Sequence, residues 1–245
     1  MPQGPMRFFI RRKALLIRRK ALLIRRKALL IRRKAFLLFP LLTIYFWDNN
    51  NMGNCILFID GENFLYKIKD VLKQENLPQS KTSLAEIDLG KLFKEPLKGF
   101  DIKRKIFYVA RLHIHPETDK KSGDLIKLQR KLRNSLVNQG YEFIIAGNVR
   151  AQKVDSKIVF REKGVDVKIA VDLVSLACDK KLTTAILCSS DSDLQPAVKE
   201  IRERGVEVIY LGFEASPNKG LTYTTDRTIL LRNSEVSTIY NSQKE

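Results

Sequence analysis

The sequence predicts an α/β fold, a three-layer α/β/α sandwich around a mostly parallel sheet. Two patterns support this class. Short apolar runs, each long enough for one strand, alternate with segments whose apolar residues recur at helical spacing. The run 55–59 is apolar at every position, which is typical of a strand covered on both faces. Strands that alternate with helices are joined by right-handed crossovers into a parallel sheet. We assign this domain to residues 52–240 and a short tail to residues 241–245.

The elements follow this alternation along the chain. After the strand at 55–59, Phe64, Ile68 and Leu72 share one helical face up to the break at Pro78. A short helix is predicted near 87–94. Further strands are predicted at 105–110, 141–146, 184–188 and 206–211. Further helices are predicted at 121–138, from 165 onward and at 194–201. A hairpin is predicted over 149–161, and a short helix and an edge strand are predicted within 218–232.

Residues 1–51 differ from the rest of the chain. Residues 10–37 repeat a basic-apolar unit of seven residues four times, but on a helical wheel the basic side chains fall between the apolar ones, so neither a coiled-coil seam nor a membrane-surface helix forms. The apolar run 36–47 is too short to span a bilayer. We therefore expect no stable membrane insertion and a cytoplasmic protein. Our hypothesis is that translation begins at Met52, and the alternative is a genuine basic tail with loose affinity for membranes or nucleic acid.

The charge is unevenly distributed. Residues 1–51 hold 13 of the 45 Lys and Arg residues and one of the 27 acidic residues, and thus +12 of the net charge of +18. The remaining +6 makes the predicted domain mildly basic, which suits a polyanionic partner. The three cysteines show no metal-binding spacing, which favours buried free thiols over disulfides or a zinc site.

Carboxylates follow the ends of predicted strands. Asp60 ends the first strand, Asp191 and Asp193 lie on the turn after the strand 184–188, and Asp166 opens a helix. In an open α/β sheet the carboxyl ends of the strands meet at the ligand-binding edge. Converging acids without matching bases favour a bound Mg²⁺ or Mn²⁺, the cations that prefer oxygen ligands. Such a site supports metal-assisted phosphodiester hydrolysis. The alternative is structural: Asp166 and Asp193 cap helices, and Asp191 supports its turn.

Other polar residues have weaker signals. Asp172 lies four residues after Lys168 on one predicted helix, which favours a surface ion pair over a metal role. His113 and His115 lie on a predicted loop, where solvent exposure is the simpler interpretation than substrate contact. Several basic side chains are candidates for phosphate contact, with an ordinary solvated surface as the alternative: Lys120, Lys121, Arg130, Arg150, Lys153 and Lys157.

Three segments resemble the signature segments of the NYN domain, a family of PIN-like metal-dependent nucleases. They are F-I-D-G-E-N-F (58–64), K-G-V-D-V-K-I-A-V-D (163–172) and S-S-D-S-D-L-Q-P (189–196). The resemblance implies a PIN-like, Rossmann-like sandwich, Mg²⁺ or Mn²⁺, and endoribonuclease activity. It carries metal or catalytic roles onto Asp60, Asp166, Asp191 and Asp193, and an active-site polar role onto Asn63. The family usually has glycines around the first Asp of the third segment and an aromatic residue after the second; this chain has Ser190, Ser192 and Leu194 there.

The leading hypothesis is a metal-dependent endoribonuclease that acts on single-stranded or structured RNA. The alternative is a module of the same fold that binds RNA or a protein without cutting. A phosphorylatable receiver-like domain is less well supported, because Gly61 stands where a second acid is expected and Gly212 follows the strand 206–211 where a lysine is expected. A homo-oligomer is compatible with the sequence.

Overall fold

A seven-stranded sheet forms the centre of the computed structural model, which describes residues 54–78, 84–114, 119–154 and 157–242. The strands are β1 (Cys55–Asp60), β2 (Ile102–Arg111), β3 (Glu142–Val154), β4 (Lys157–Lys163), β5 (Thr184–Cys188), β6 (Glu207–Phe213) and β7 (Arg227–Leu231). Their order in the sheet is β4-β3-β2-β1-β5-β6-β7. All neighbours are parallel except β3 and β4. The predicted mostly parallel sheet is confirmed.

Helices cover both faces of the sheet. They are α1 (Gly61–Gln74), α2 (Leu89–Lys94), α3 (Asp119–Asn138), α4 (Val165–Cys178), α5 (Gln195–Glu203), α6 (Lys219–Thr224) and α7 (Asn233–Ser242). Buried residues of α1, α2, α3 and α7 belong to one core layer, and those of α4, α5 and α6 belong to the other. The fold is therefore the predicted three-layer α/β/α sandwich. None of the described helices is long and apolar enough to cross a membrane.

Strand β1 shows why these residues form a central strand. All six of its residues are buried. Because side chains alternate across a strand, Leu57 and Ile59 pack in the first core layer, and Ile56 and Phe58 pack in the second. A strand with two dry faces has to be apolar throughout, and this chain meets that requirement until Asp60.

Strand β3 is where the sequence pattern and the structure differ most. The predicted strand covered 141–146, whereas β3 continues to Val154. Its second half pairs antiparallel with β4, from Asn148 opposite Lys163 to Val154 opposite Lys157, and so forms the predicted hairpin. The apolar run stops at Ala146, and an antiparallel ribbon beyond a core needs no apolar pattern. Periodicity therefore could not show that strand and hairpin are continuous.

The order of the strands reverses beside β1. From β1 the chain builds the sheet outward through β2, β3 and β4, and then returns to build β5, β6 and β7 on the other side. The carboxyl ends of β1 and β5 are therefore adjacent at the switch point, where open α/β sheets bind ligands. This confirms the predicted neighbourhood of the strands that end near Asp60 and Asp191.

A cluster of carboxylates at the switch point of the sheet

Asp60 is buried at the end of β1, and two hydrogen bonds hold its carboxylate. Its Oδ1 accepts the backbone N–H of Asn63 at 3.2 Å and thereby caps α1, and its Oδ2 accepts the hydroxyl of Ser189 at 3.1 Å. The next residue has to be small, because a Cβ on Gly61 would lie 2.5 Å from the carbonyl oxygen of Tyr108. The turn from β1 into α1 is therefore pressed against β2, which fixes Asp60 in place.

The surroundings of Asp60 oppose its ionisation. Burial raises the pKa of its carboxyl from 3.8 to about 6, and the negative charges of Asp191 and Glu62 act in the same direction. The hydrogen bonds from Asn63 and Ser189 lower the pKa but do not offset burial. A cation beside this group would stabilise its charged form.

The loop after β5 is anchored by a chain of hydrogen bonds. The backbone N–H of Asp191 donates to the Ser189 hydroxyl oxygen at 3.1 Å, so one serine links Asp60 to Asp191. The N–H of Ser190 donates to the side-chain Oδ1 of Asn63 at 3.0 Å, and the carbonyl oxygen of Ser190 accepts from Asn218 Nδ2 at 2.8 Å. These contacts give the loop a defined shape although serines replace the glycines usual in this segment.

Asp191, rather than Asp193, caps the helical turn that follows. Its Oδ1 accepts the N–H of Asp193 at 2.9 Å at the start of a 3₁₀ turn, Ser192–Leu194. The N-cap of α5, Leu194, has no side-chain capping bond. The prediction that Asp193 caps a helix is therefore wrong. The prediction that Asp191 supports its turn is confirmed.

Asp166 lies in the first turn of α4 and does not cap it. The N-cap is Gly164, with φ of 94° and no side-chain capping bond. β3 packs closely on the chain before this helix, since a Cβ on Gly147 would lie 2.2 Å from the carbonyl oxygen of Lys163. No described residue donates a hydrogen bond to the Asp166 carboxylate. The capping alternative for Asp166 is wrong as well.

The carboxylates of Asp166, Asp191 and Asp193 converge. One oxygen from each lies within 4.8 Å of the other two, and Asp193 is the exposed member. Two oxygens bound to one Mg²⁺ at about 2.0–2.1 Å each are at most about 4.2 Å apart, so small movements of these side chains would bring all three oxygens onto one divalent cation. Asp60 lies outside this group of three but lines a cleft with Asp166 and Asp191.

The cleft around these acids has a volume of about 600 Å³. It also contains three side chains that the sequence patterns did not single out, Glu62, Tyr66 and Lys163. Glu62 and Lys163 lie within the segments 58–64 and 163–172 but were given no role, and Tyr66 lies one helical turn after Glu62, outside these segments. The described residues that line the cleft are Asp60, Glu62, Asn63, Tyr66, Lys163, Gly164, Asp166, Val167 and Asp191.

Asp172 has the predicted ion pair. Its Oδ1 accepts from Lys168 Nζ at 2.5 Å, and its Oδ2 accepts the Tyr108 hydroxyl at 2.9 Å. His113 is exposed and contacts Asn148 Oδ1 at 3.2 Å. Lys120 and Arg130 are exposed on α3. His115 and the side chains of Lys121, Arg150, Lys153 and Lys157 lie outside the described part of the chain.

A three-layer α/β/α sandwich with an acidic cluster at the switch point of its sheet is consistent with the PIN-like nuclease fold. Residues 54–232 match the NYN domain, and the chain belongs to the NYN domain family. Members of this family are generally nucleases, and PIN-like nucleases typically use divalent metals. The three acids of the cluster lie within the matched residues.

Two similar proteins extend the comparison. An uncharacterised protein of Methanocaldococcus jannaschii is 31% identical over 100 residues, which cover 40% of this chain and 35% of that protein. The chain thus spans little more than a third of that relative's length. The crystal structure of a protein of unknown function from Vibrio parahaemolyticus matches with a TM-score of 0.50 at 17% identity, over 73% of this chain and 93% of that one. That structure supports the fold alone.

Proposed function

We propose that this protein is a metal-dependent endoribonuclease that hydrolyses phosphodiester bonds of RNA. The observation that carries the proposal is the convergence of Asp166, Asp191 and Asp193 within 4.8 Å. Three acidic oxygens so close to one another repel, and a divalent cation removes the repulsion. Hard oxygen ligands favour Mg²⁺ or Mn²⁺ over zinc.

The acids have different roles in this site. Asp166 and Asp193 accept no hydrogen bond or ion pair from a described residue, so their oxygens are available as ligands. Asp191 keeps one oxygen on its turn and offers the other. The Asp60 carboxylate accepts a hydrogen bond from the Ser189 hydroxyl, and the oxygen of that hydroxyl accepts one from the backbone N–H of Asp191. Asp60 therefore positions the loop and adds negative charge that binds the cation.

The remaining side chains of the cleft suit a phosphodiester. When bound, the cation would polarise the phosphate and lower the pKa of an attacking water. Lys163 is the only cationic side chain among the described residues of the cleft and can contact a phosphate oxygen. Asn63 uses its Oδ1 on Ser190, and its Nδ2 donates to no described residue, so this amide can orient the water or the phosphate.

RNA is the proposed substrate because the chain belongs to the NYN family and its predicted domain carries a net positive charge. The exposed Lys120 and Arg130 add phosphate contacts outside the cleft. Such contacts neutralise the backbone, so binding weakens as salt rises.

The test uses the full-length chain with RNA and matched DNA oligonucleotides, in Mn²⁺, in Mg²⁺ and in EDTA. We expect cleavage of RNA that requires the cation and is lost in Asp191→Asn. Calorimetric titration of Mn²⁺ into RNA-free protein gives a readout that is independent of turnover, and the same variant should bind the cation more weakly. Metal binding without cleavage of any RNA would favour the non-catalytic binding module, and cleavage of DNA alone would overturn the substrate assignment.

A further inference from the structure

We propose that an apolar pocket beside the acidic cleft binds an unstacked base of the RNA, with Tyr66 as the stacking surface. This inference rests on the proposed function and deepens it, since it names the part of the substrate that the neighbouring surface recognises. It assigns a substrate-binding role to residues outside the three signature segments.

The pocket lies between α1, the end of β2 and α3, and its volume is about 330 Å³. This is within the range of about 300–1,000 Å³ that is typical of small-ligand sites. Its walls are mainly apolar, and include Leu65, Val109, Leu112, Leu125, Leu128 and Leu132. A flat, weakly polar ring suits such walls better than a phosphate or a sugar does.

The pocket and the acidic cleft are adjacent and share two wall residues. Glu62 and Tyr66 line both of them. With Leu65 and Lys69 they occupy positions i, i+3, i+4 and i+7 of α1, which form one stripe along the helix. A phosphate held at the acids therefore places the base of an adjacent nucleotide over this stripe. Adjacency to the acidic cleft is why we assign the pocket to a base rather than to a segment of another protein.

Tyr66 is suited to stacking. Its side chain is 59% exposed, although it lies beside an apolar pocket, and it makes no hydrogen bond to a described residue. Exposed aromatic rings next to a phosphate-binding groove are the usual stacking surfaces for single-stranded nucleic acid. Gln129 adds one fixed polar group: its Nε2 donates to the Ala110 carbonyl at 2.8 Å, and its Oε1 accepts from no described residue. That oxygen can accept a hydrogen bond from a base.

The experiment compares an intact short RNA oligonucleotide with a series of the same oligonucleotide, each member of which lacks the base at one position. Binding to the full-length chain is followed by fluorescence anisotropy in Ca²⁺, and the RNA is checked for integrity afterwards. The variants are Tyr66→Ala, Tyr66→Phe and, as a matched control, Tyr223→Ala. Tyr223 is 85% exposed and lines neither the cleft nor the pocket.

We expect Tyr66→Ala to weaken binding of intact RNA about tenfold, because the loss of base stacking on one aromatic ring typically lowers affinity about fivefold to a hundredfold. Tyr66→Phe keeps the ring and should bind like the parent protein, as should Tyr223→Ala. Removal of one particular base should weaken binding to the parent protein about tenfold and cause no further loss in Tyr66→Ala.

Equal losses with intact and base-lacking RNA would show that Tyr66 is structural and would overturn the base site. Indifference to every missing base, or the absence of RNA binding, would overturn it too. The proposed hydrolysis fails differently: RNA that binds in a Tyr66-dependent way but is never cleaved in Mn²⁺ would leave the base site standing without the nuclease.

Discussion

Asp166 and Asp172 lie on the same helix, yet their surroundings are opposite. Asp172 accepts from Lys168 at 2.5 Å and from the buried Tyr108 hydroxyl at 2.9 Å. Asp166 receives no hydrogen bond from a described residue and faces the carboxylates of Asp191 and Asp193. The fold thus neutralises one acid with its own side chains and leaves the other beside further negative charge.

This contrast is the basis on which we treat Asp172 as a structural acid and propose Asp166 as a metal ligand. Carboxylates that serve stability are paired, because unpaired charge near a protein interior is costly. An acid that the fold places next to other acids keeps an oxygen free for a cation from solution, as proposed for Asp166. Asp172 has a basic partner on the helix itself, Lys168, and a second partner on β2, the Tyr108 hydroxyl. Asp166, in the first turn of α4, has no such partner among the described residues and lies beside the acids of the loop after β5.

The largest effect is expected from replacing Asp166, the unpaired acid of the two. Asp166→Asn removes a ligand and no structural hydrogen bond from the described residues, so the fold should survive. We expect RNA cleavage to fall by at least about a thousandfold, as for other catalytic residues that act as a unit. Single-turnover cleavage in Mn²⁺ measures this, and calorimetry should show weaker Mn²⁺ binding. If this variant retained both metal affinity and activity, Asp166 would not be a metal ligand.

The sequence was sufficient to predict the layers of the fold and three acids that converge, Asp166, Asp191 and Asp193. It also placed Asp60 in that group, which the structure does not. Apolar runs predicted the central strands, and a reversal of strand order places Asp60 and Asp191 together whatever the loops do. The roles of the acids needed coordinates. That Asp191 caps its turn while Asp166 caps nothing depends on local backbone angles. Tyr66 and Lys163 enter the cleft only because α1 and the end of β4 meet there.

A pH-dependent effect of intermediate size is expected at Asp60. Its carboxyl pKa is about 6 in the folded chain and 3.8 ordinarily, so between these values the folded chain retains a proton that the unfolded chain has released. Its contribution to stability is thus highest below pH 3.8, falls as pH rises to about 6 and is constant above. In EDTA, Asp60→Asn should therefore stabilise the chain by about 2–3 kcal/mol more at pH 8 than at pH 4.

Urea unfolding of both proteins at the two pH values measures this difference. Asp124→Asn is the control, because Asp124 is a surface carboxylate on α3 whose replacement should change stability by less than about 0.5 kcal/mol. An Asp60→Asn effect of the same size at pH 4 and pH 8 would mean that burial does not perturb this group.

The smallest effect is expected from replacing Asp172, the paired acid of the two. Asp172→Asn keeps an acceptor for the Tyr108 hydroxyl but loses the charge opposite Lys168, so the free energy of unfolding should fall by about 1 kcal/mol. Burial raises the pKa of Tyr108, and the charge of Asp172 raises it further, so the phenol remains a donor. Mn²⁺ affinity and cleavage should match the parent protein. Loss of metal binding in this variant, with the fold intact by circular dichroism, would mean that the Lys168–Asp172 pair helps to position Asp166, and the first turn and the middle of α4 would then act as one unit.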